Sequence, residues 1–240
     1  MAIAHRGASS YAPENTIAAF DLAIEMGARH IELDVHVTQD DHVVVIHDDT
    51  VDRTTSGAGP VTSYTLAALK ALDAGSWFGR KFSGERIPTL SEVFRRYDGR
   101  VHIHTEIKGH SAHLSERTVQ LVREHGMTKQ VTITSFQRAR LEETRAQAPE
   151  LPTGWLVPEA TDEVIAQARA MGLTQLCPKA GTITPALVQR LHAAGFIVRA
   201  WGVATEDLMR QVVKAGADGM TVNFPDKLIA YLNSQAPERP

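Results

Sequence analysis

The stretch Phe20-Asp-Leu-Ala-Ile-Glu-Met-Gly-Ala-Arg-His-Ile-Glu-Leu-Asp-Val-His36 changes its period halfway. Up to Met26 it reads as an amphipathic helix; from His30 polar and apolar residues alternate, the period of a strand. Gly27 lies between, and glycine takes the left-handed conformation past a helix end at little cost, so Met26-Gly27 is a helix stop leading into a strand. The same punctuation recurs at His125-Gly126, Met171-Gly172, Ala194-Gly195 and Ala215-Gly216. The chain therefore alternates helix and strand.

Short β-branched runs place the strands at Ala2 to Arg6, His30 to Thr38, Val101 to Lys108, Gln130 to Ser135, Thr153 to Val157, Thr174 to Lys179, Phe196 to Val203 and Gly219 to Asn223. Helices start near Asn15, Thr89, Ala112, Gln137, Thr161, Thr184, Thr205 and Asp226, and Thr89-Leu-Ser-Glu92 is a capping box. Eight such strands with intervening helices, in a single domain over 1–240, predict a (β/α)8 TIM barrel. Strands recur roughly every 21 to 30 residues, except that about 70 separate the starts of the second and third. The excess is a small insertion over residues 50–88, expected at the strand-end face. Just before it, Val43-Val-Val-Ile46 follows the turn Gln39-Asp-Asp-His42, and so short a connection permits only an antiparallel hairpin with the second strand.

With 240 residues, 43% hydrophobic and 22% charged, the chain can fill one large core. A net charge of -3 offers no basic patch for nucleic acid, so a small-molecule partner is expected. No signal-like N-terminal segment is visible and no apolar run approaches the ~18 residues of a membrane span, which leads to an expectation of a cytoplasmic protein without stable membrane insertion. Cys177 is the sole cysteine, in an apolar run, and reads as core; an internal disulfide and a thiolate-rich zinc site are excluded.

The period of two puts Glu32, Asp34 and His36 on one face of the second strand, and His102, His104, Glu106 and Lys108 on one face of the third. Glu32, Asp34 and Glu106 thus converge from neighbouring strands. Buried carboxylates need a compensating cation, and an all-oxygen set suits a hard divalent cation, Mg²⁺ or Ca²⁺. The alternative is a charge network of these acids with Arg6, Lys108 and Arg199. In the hairpin, opposing residue numbers sum to about 80, which brings His47 beside Glu32 and Asp34. His5 ends the first strand at the same mouth. Two histidines flanking a metal-carboxylate cluster supply the acid and the base that phosphodiester cleavage requires. His30, His42, His110, His113, His125 and His192 read as surface or packing residues, whereas His36, His102 and His104 share the carboxylate face and remain open as metal ligands. Arg6 and Lys108 suit the non-bridging phosphate oxygens. Trp201, and Trp77 with Phe78 in the insertion, read either as a grip on the substrate alcohol or as rim packing. Phosphate-loop, nucleophile-elbow and dinucleotide motifs are absent from the sequence.

Taken together, His5-Arg-Gly7, Pro13-Glu-Asn-Thr16, Ala19-Phe20, Glu32-Leu-Asp-Val35, Val45-Ile-His-Asp-Asp49, Asp52-Arg-Thr-Thr55, Ile87-Pro-Thr-Leu90, Glu106-Ile-Lys108, Ser135-Phe136 and Gly219 to Asp226 resemble the glycerophosphodiester phosphodiesterases over nearly the whole chain. The resemblance implies a β/α barrel with a small inserted lid and hydrolysis of a glycerophosphodiester to sn-glycerol 3-phosphate and an alcohol. It implies Glu32, Asp34 and Glu106 as ligands for Mg²⁺ or Ca²⁺, His5 and His47 as the acid/base pair, and Arg6 and Lys108 as phosphate contacts. Two departures are visible: Ala200-Trp-Gly-Val-Ala204 stands where the family often has threonine and asparagine around the tryptophan, and Val222-Asn223 where Thr-Asp is common. Both are expected away from the metal set, bearing on substrate contacts. Competing readings are a lysophospholipase D, a non-catalytic ligand-binding barrel, and a lyase or isomerase that stabilises an enolate.

Overall fold

Eight parallel strands close on themselves: β1 (Ala2–His5), β2 (His30–Val37), β4 (His102–Ile107), β5 (Val131–Ser135), β6 (Thr153–Val157), β7 (Gln175–Pro178), β8 (Ile197–Val203) and β9 (Gly219–Val222), with β9 pairing back onto β1. The computed structural model describes residues 1–235, so the last five of the domain expected over 1–240 lie outside it. Between the strands run α1 (Ile17–Glu25), α3 (Leu90–Tyr97), α4 (Leu114–Glu124), α5 (Arg138–Gln147), α6 (Asp162–Ala170), α7 (Pro185–Ala193) and α8 (Glu206–Lys214), and α9 (Pro225–Gln235) follows β9. This is the expected (β/α)8 barrel.

The period of two survives although both faces of β2 are buried. Ile31, Leu33 and Val35 join a core with Phe20, Phe94 and Tyr97 of α1 and α3, while Glu32 and Asp34 take the other face. Helix starts follow threonine caps: Thr16, Thr89, Thr161, Thr184 and Thr205 each accept a backbone N–H one turn on, and Thr89 with Glu92 forms the full capping box.

Some boundaries shift for physical reasons. The first strand stops at His5, not Arg6, because Arg6 turns left-handed with φ 56°. Asn15 is likewise left-handed, at φ 58°, so α1 begins beyond it with Thr16 as cap. Strand β3 (Val43–Val45) pairs antiparallel with β2 in the register Val35–Val45, His36–Val44 and Val37–Val43, the sum of 80. It takes the stretch of β2 beyond Glu32, where β1 has ended.

The insertion has its own small core of Val44, Ile46, Val51, Val61, Leu69, Ala74 and Ile87, and contains a short helix, α2 (Leu66–Ala71), that the sequence had not indicated. It is fastened to the hairpin by Val45 N–H to the Pro88 carbonyl at 2.8 Å. Trp77, Phe78 and Phe82 pack edge to face on one another. Among the described residues no helix is long and apolar enough to cross a membrane.

Candidate active site

At the strand-end mouth, two adjoining cavities of about 350 and 410 Å³ share His47, Glu106, Lys108 and Phe136. The inner one adds His5, Arg6, Glu32, Arg199 and Trp201; the outer one adds His36, Asp49 and His110. Every residue expected at the site except Asp34 lines this space, and Asp34 lies buried just beneath. Trp77 and Phe78 do not line it; Trp77 stays exposed on the insertion beside Phe78.

Glu32, Asp34 and Glu106 each offer an oxygen within 4.8 Å of the others, all three side chains being buried. Two oxygens at 2.3 to 2.6 Å from one ion are at most about 5 Å apart, so the spacing admits a single hard cation. Asp34 Oδ1 is buried without a hydrogen-bond partner, leaving a lone-pair site free for such an ion. Burial, followed by the neighbouring charge of Asp34, pushes Glu32 well above its ordinary value and raises Glu106 to about 7. A divalent cation would restore both to the ionised form. The residues therefore fit a divalent ion.

Protein cations approach two of the three acids. Lys108 Nζ lies 3.2 Å from Glu106, and Arg6 Nε lies 3.3 Å from Asp34 without the alignment of a hydrogen bond. The alternative charge network also needed Arg199. That guanidinium is 1% exposed and none of its nitrogens has a hydrogen-bond partner.

Glu32 and Asp34 are held by loop backbone and by Asn15. Arg6 N–H donates to Glu32 Oε2 at 2.9 Å, which requires the left-handed turn at Arg6. Gly7 follows at φ 82°, and a Cβ there would meet the Ala19 backbone at 2.6 Å, so only glycine lets the loop lie on α1. Asn15 Nδ2 donates to Asp34 Oδ2 at 2.9 Å.

His5 Nδ1 lies 2.6 Å from Asn223 Oδ1, and its Nε2 lies 4.0 Å from Glu32. Burial and then the Arg6 charge push its imidazole down to about 4, although 31% of the side-chain surface stays open. His47 Nδ1 lies 2.6 Å from Asp48 Oδ1. The first cause holding the Asp48 carboxyl well below the usual range is its hydrogen bond from Arg53. With an oxygen partner at Nδ1, each ring can donate that N–H, and neither Nε2 has a hydrogen-bond partner.

Of the open histidines none joins the carboxylates. His36 Nε2 bonds the His47 carbonyl at 3.1 Å and so steadies the backbone beneath that ring. His104 bonds His30 at 3.3 Å, and His102 stacks beside them in a layer towards the strand starts. At the departure Val222-Asn223, the Asn223 side chain touches His5 directly, so this position also bears on a candidate acid/base histidine. At the other departure, Gly202 at φ 73° marks an irregularity in the pairing of β8 with β9. Trp201 next to it donates to the Val157 carbonyl and meets Phe136 edge-on at 4.8 Å.

A family model described as the glycerophosphoryl diester phosphodiesterase family matches residues 5–227. The chain belongs to this family. It is 42% identical over 233 residues to a glycerophosphodiester phosphodiesterase of Caldanaerobacter subterraneus, covering 95% of this chain and 96% of that one. It is 32% identical to a Bacillus subtilis glycerophosphodiester phosphodiesterase, covering 94% and 84%. Among solved structures, an Oleispira antarctica phosphodiesterase in complex with the product sn-glycerol-3-phosphate superposes with a TM-score of 0.89 at 30% identity, covering 96% of each chain. As a glycerophosphoryl diester phosphodiesterase family member, the chain has its carboxylates and both histidines within the matched span.

Proposed function

We propose that this protein hydrolyses glycerophosphodiesters to sn-glycerol 3-phosphate and the free alcohol, using a divalent cation, Mg²⁺ or Ca²⁺, with His5 and His47 as the acid/base pair. The observation that carries the reading is two histidines, each tied at Nδ1 and without a hydrogen-bond partner at Nε2, lining one cavity with a three-carboxylate cluster in a chain of this family. The similarity to a phosphodiesterase whose structure holds sn-glycerol-3-phosphate supports the choice of substrate class.

Glu32, Asp34 and Glu106 would hold the cation, which when bound supplies Lewis-acid stabilisation of charge on the phosphate. Arg6 and Lys108 contact the non-bridging oxygens, and Trp201 forms the cavity wall beside them. One histidine takes the proton of the glycerol 2-hydroxyl, whose oxygen forms a bond to phosphorus. The bond from phosphorus to the other alkoxide breaks, and the second histidine, which enters the cycle protonated at Nε2, gives that proton to the departing alcohol. Water then opens the cyclic phosphate with the roles reversed, which returns both histidines to their starting protonation states.

Phosphorus NMR on glycerophosphocholine and glycerophosphoethanolamine tests the assignment. The expected product is sn-glycerol 3-phosphate from both. Accumulation of phosphocholine or phosphoethanolamine would place the cleavage on the other side of phosphorus and overturn it.

A further inference from the structure

His47 and Arg6 stand on different elements, the hairpin and the end of β1, yet an unbroken series of charged hydrogen bonds joins them through one side chain of the insertion. Arg53 Nε and Nη2 donate to the two oxygens of Asp48 at 2.7 and 3.1 Å, while Nη1 and Nη2 donate to the two oxygens of Glu14 at 2.9 and 2.8 Å. Asp48 is the carboxylate 2.6 Å from His47 Nδ1. Glu14 accepts from Arg6 Nη1 at 2.8 Å, and although burial acts against it, the bonds from Arg53 and Arg6 hold its carboxyl down to about 2. The Arg53 backbone is itself fixed, since Asp52 accepts the Gly59 N–H at 2.9 Å and Thr55 donates to the Val51 carbonyl at 2.7 Å.

We propose that Arg53 is a positioning residue for the phosphodiester reaction, a two-sided clamp that sets His47 through Asp48 and Arg6 through Glu14 and so ties the inserted segment to turnover. The inference rests on the reading above that His47 and Arg6 act on the substrate. Only a guanidinium can do this: its planar fork gives paired bonds to two carboxylates at once, whereas an ammonium is a point charge on a flexible stem. Arg53 keeps 45% of its side chain exposed, so any single pair is weakened by solvent, and the joined bidentate geometry does the holding. An unanchored Asp48 would let the His47 ring rotate, and misplacing a reacting group by about 1 Å can cost 10²-fold.

The test compares Arg53→Gln, Arg53→Lys, Asp48→Asn and the Arg53→Gln/Asp48→Asn double variant with Lys70→Met. Lys70 ties the insertion to α3 through Glu92 and touches no member of the clamp. With glycerophosphocholine and saturating Mg²⁺, Arg53→Gln is expected to lower kcat about 10- to 100-fold, the usual cost of an outer-sphere partner. KM should rise less, and the calorimetric Mg²⁺ dissociation constant should stay within about twofold, because the carboxylates are untouched. Arg53→Lys should recover only part of the loss, the double variant should be no worse than about the weaker single, and Lys70→Met should match the wild type. A kcat within about twofold of wild type for Arg53→Gln, or an equal loss in Lys70→Met, would overturn the clamp. If the wild type itself cleaves no glycerophosphodiester, it is the functional reading that fails. The clamp is then judged on the His47 imidazole by ¹H–¹⁵N NMR: Arg53→Gln should lose the hydrogen-bonded Nδ1–H signal, and an unchanged spectrum would refute it.

Discussion

His5 and His47 are held in the same way but by different partners, the neutral amide of Asn223 and the anionic carboxylate of Asp48. Acid/base groups each contribute about 10² to 10⁴ in rate, and both act on one transition state. Each histidine-to-alanine change should therefore lower kcat by at least 10²-fold, with the double variant far less than multiplicative. Near wild-type kcat in either single variant would remove that residue from the pair. At this scale the sequence shows the residues that strand alternation brings together: Glu32, Asp34 and Glu106 follow from a period of two, and His47 from the hairpin sum. It does not show Asn15, Glu14, Arg53 or Asn223. These reach the site through side chains crossing between loops, 19 residues from Asn15 to Asp34 and 39 from Glu14 to Arg53, and no periodicity records such contacts. Asp48 did carry a signal, as a carboxylate adjoining a candidate acid/base histidine, and Glu14 and Arg53 stood only inside motifs of the family resemblance.

Helices and strands were legible where a chemical stop marks them. Threonine caps and the capping box at Thr89 fix the starts, and glycine at positive φ fixes several ends, as at Gly27, Gly126 and Gly172. What misled was the pair of left-handed non-glycine residues, Arg6 and Asn15, which end one element and delay the next. Arg6 N–H bonds Glu32 and the Asn15 side chain bonds Asp34 across the mouth, long-range contacts that accompany both turns; asparagine tolerates this conformation locally, whereas at Arg6 local propensity gives no hint of it. The short α2 escaped because its stability comes from Leu69 in the insertion's core, not from a long amphipathic pattern. The loop between β1 and α1 yields a prediction. Gly7→Ala adds a Cβ 2.6 Å from immovable α1 backbone at φ 82°. It should destabilise the protein by about 1–3 kcal/mol in urea unfolding, while an unchanged midpoint would show that the loop has room to relax.

For the molecule as a whole, the barrel brings three acids to its mouth, and on the proposed metal site their mutual repulsion should make stability depend on ion and pH together. Without an ion, Glu106 is raised from 4.5 to about 7, so the folded chain binds more protons than the unfolded one across that window. The contribution of this group to stability then falls as pH rises from 4.5 to about 7. A cation needs the deprotonated carboxylates and binds only the folded form, so the rise in Tm on adding Mg²⁺ or Ca²⁺ should be larger at about pH 7.5 than at about pH 5. Equal shifts at the two pH values would separate the ion from the cluster. Substrate choice belongs to the same scale. On the proposed mechanism Arg6 and Lys108 address phosphate and the 2-hydroxyl is the nucleophile, so recognition rests on the glycerophosphate part that all these substrates share. Several glycerophosphodiesters should thus show comparable kcat/KM, with the 2-deoxyglycerol analogue down by about 10⁴. Brisk turnover of that analogue would mean direct attack by water.

The most direct test is release of sn-glycerol 3-phosphate from glycerophosphocholine by protein stripped of divalent ions, and again after Mg²⁺ or Ca²⁺ is returned. Turnover should vanish on chelation and come back with the ion. Full activity in the stripped protein would contradict the role given to Glu32, Asp34 and Glu106.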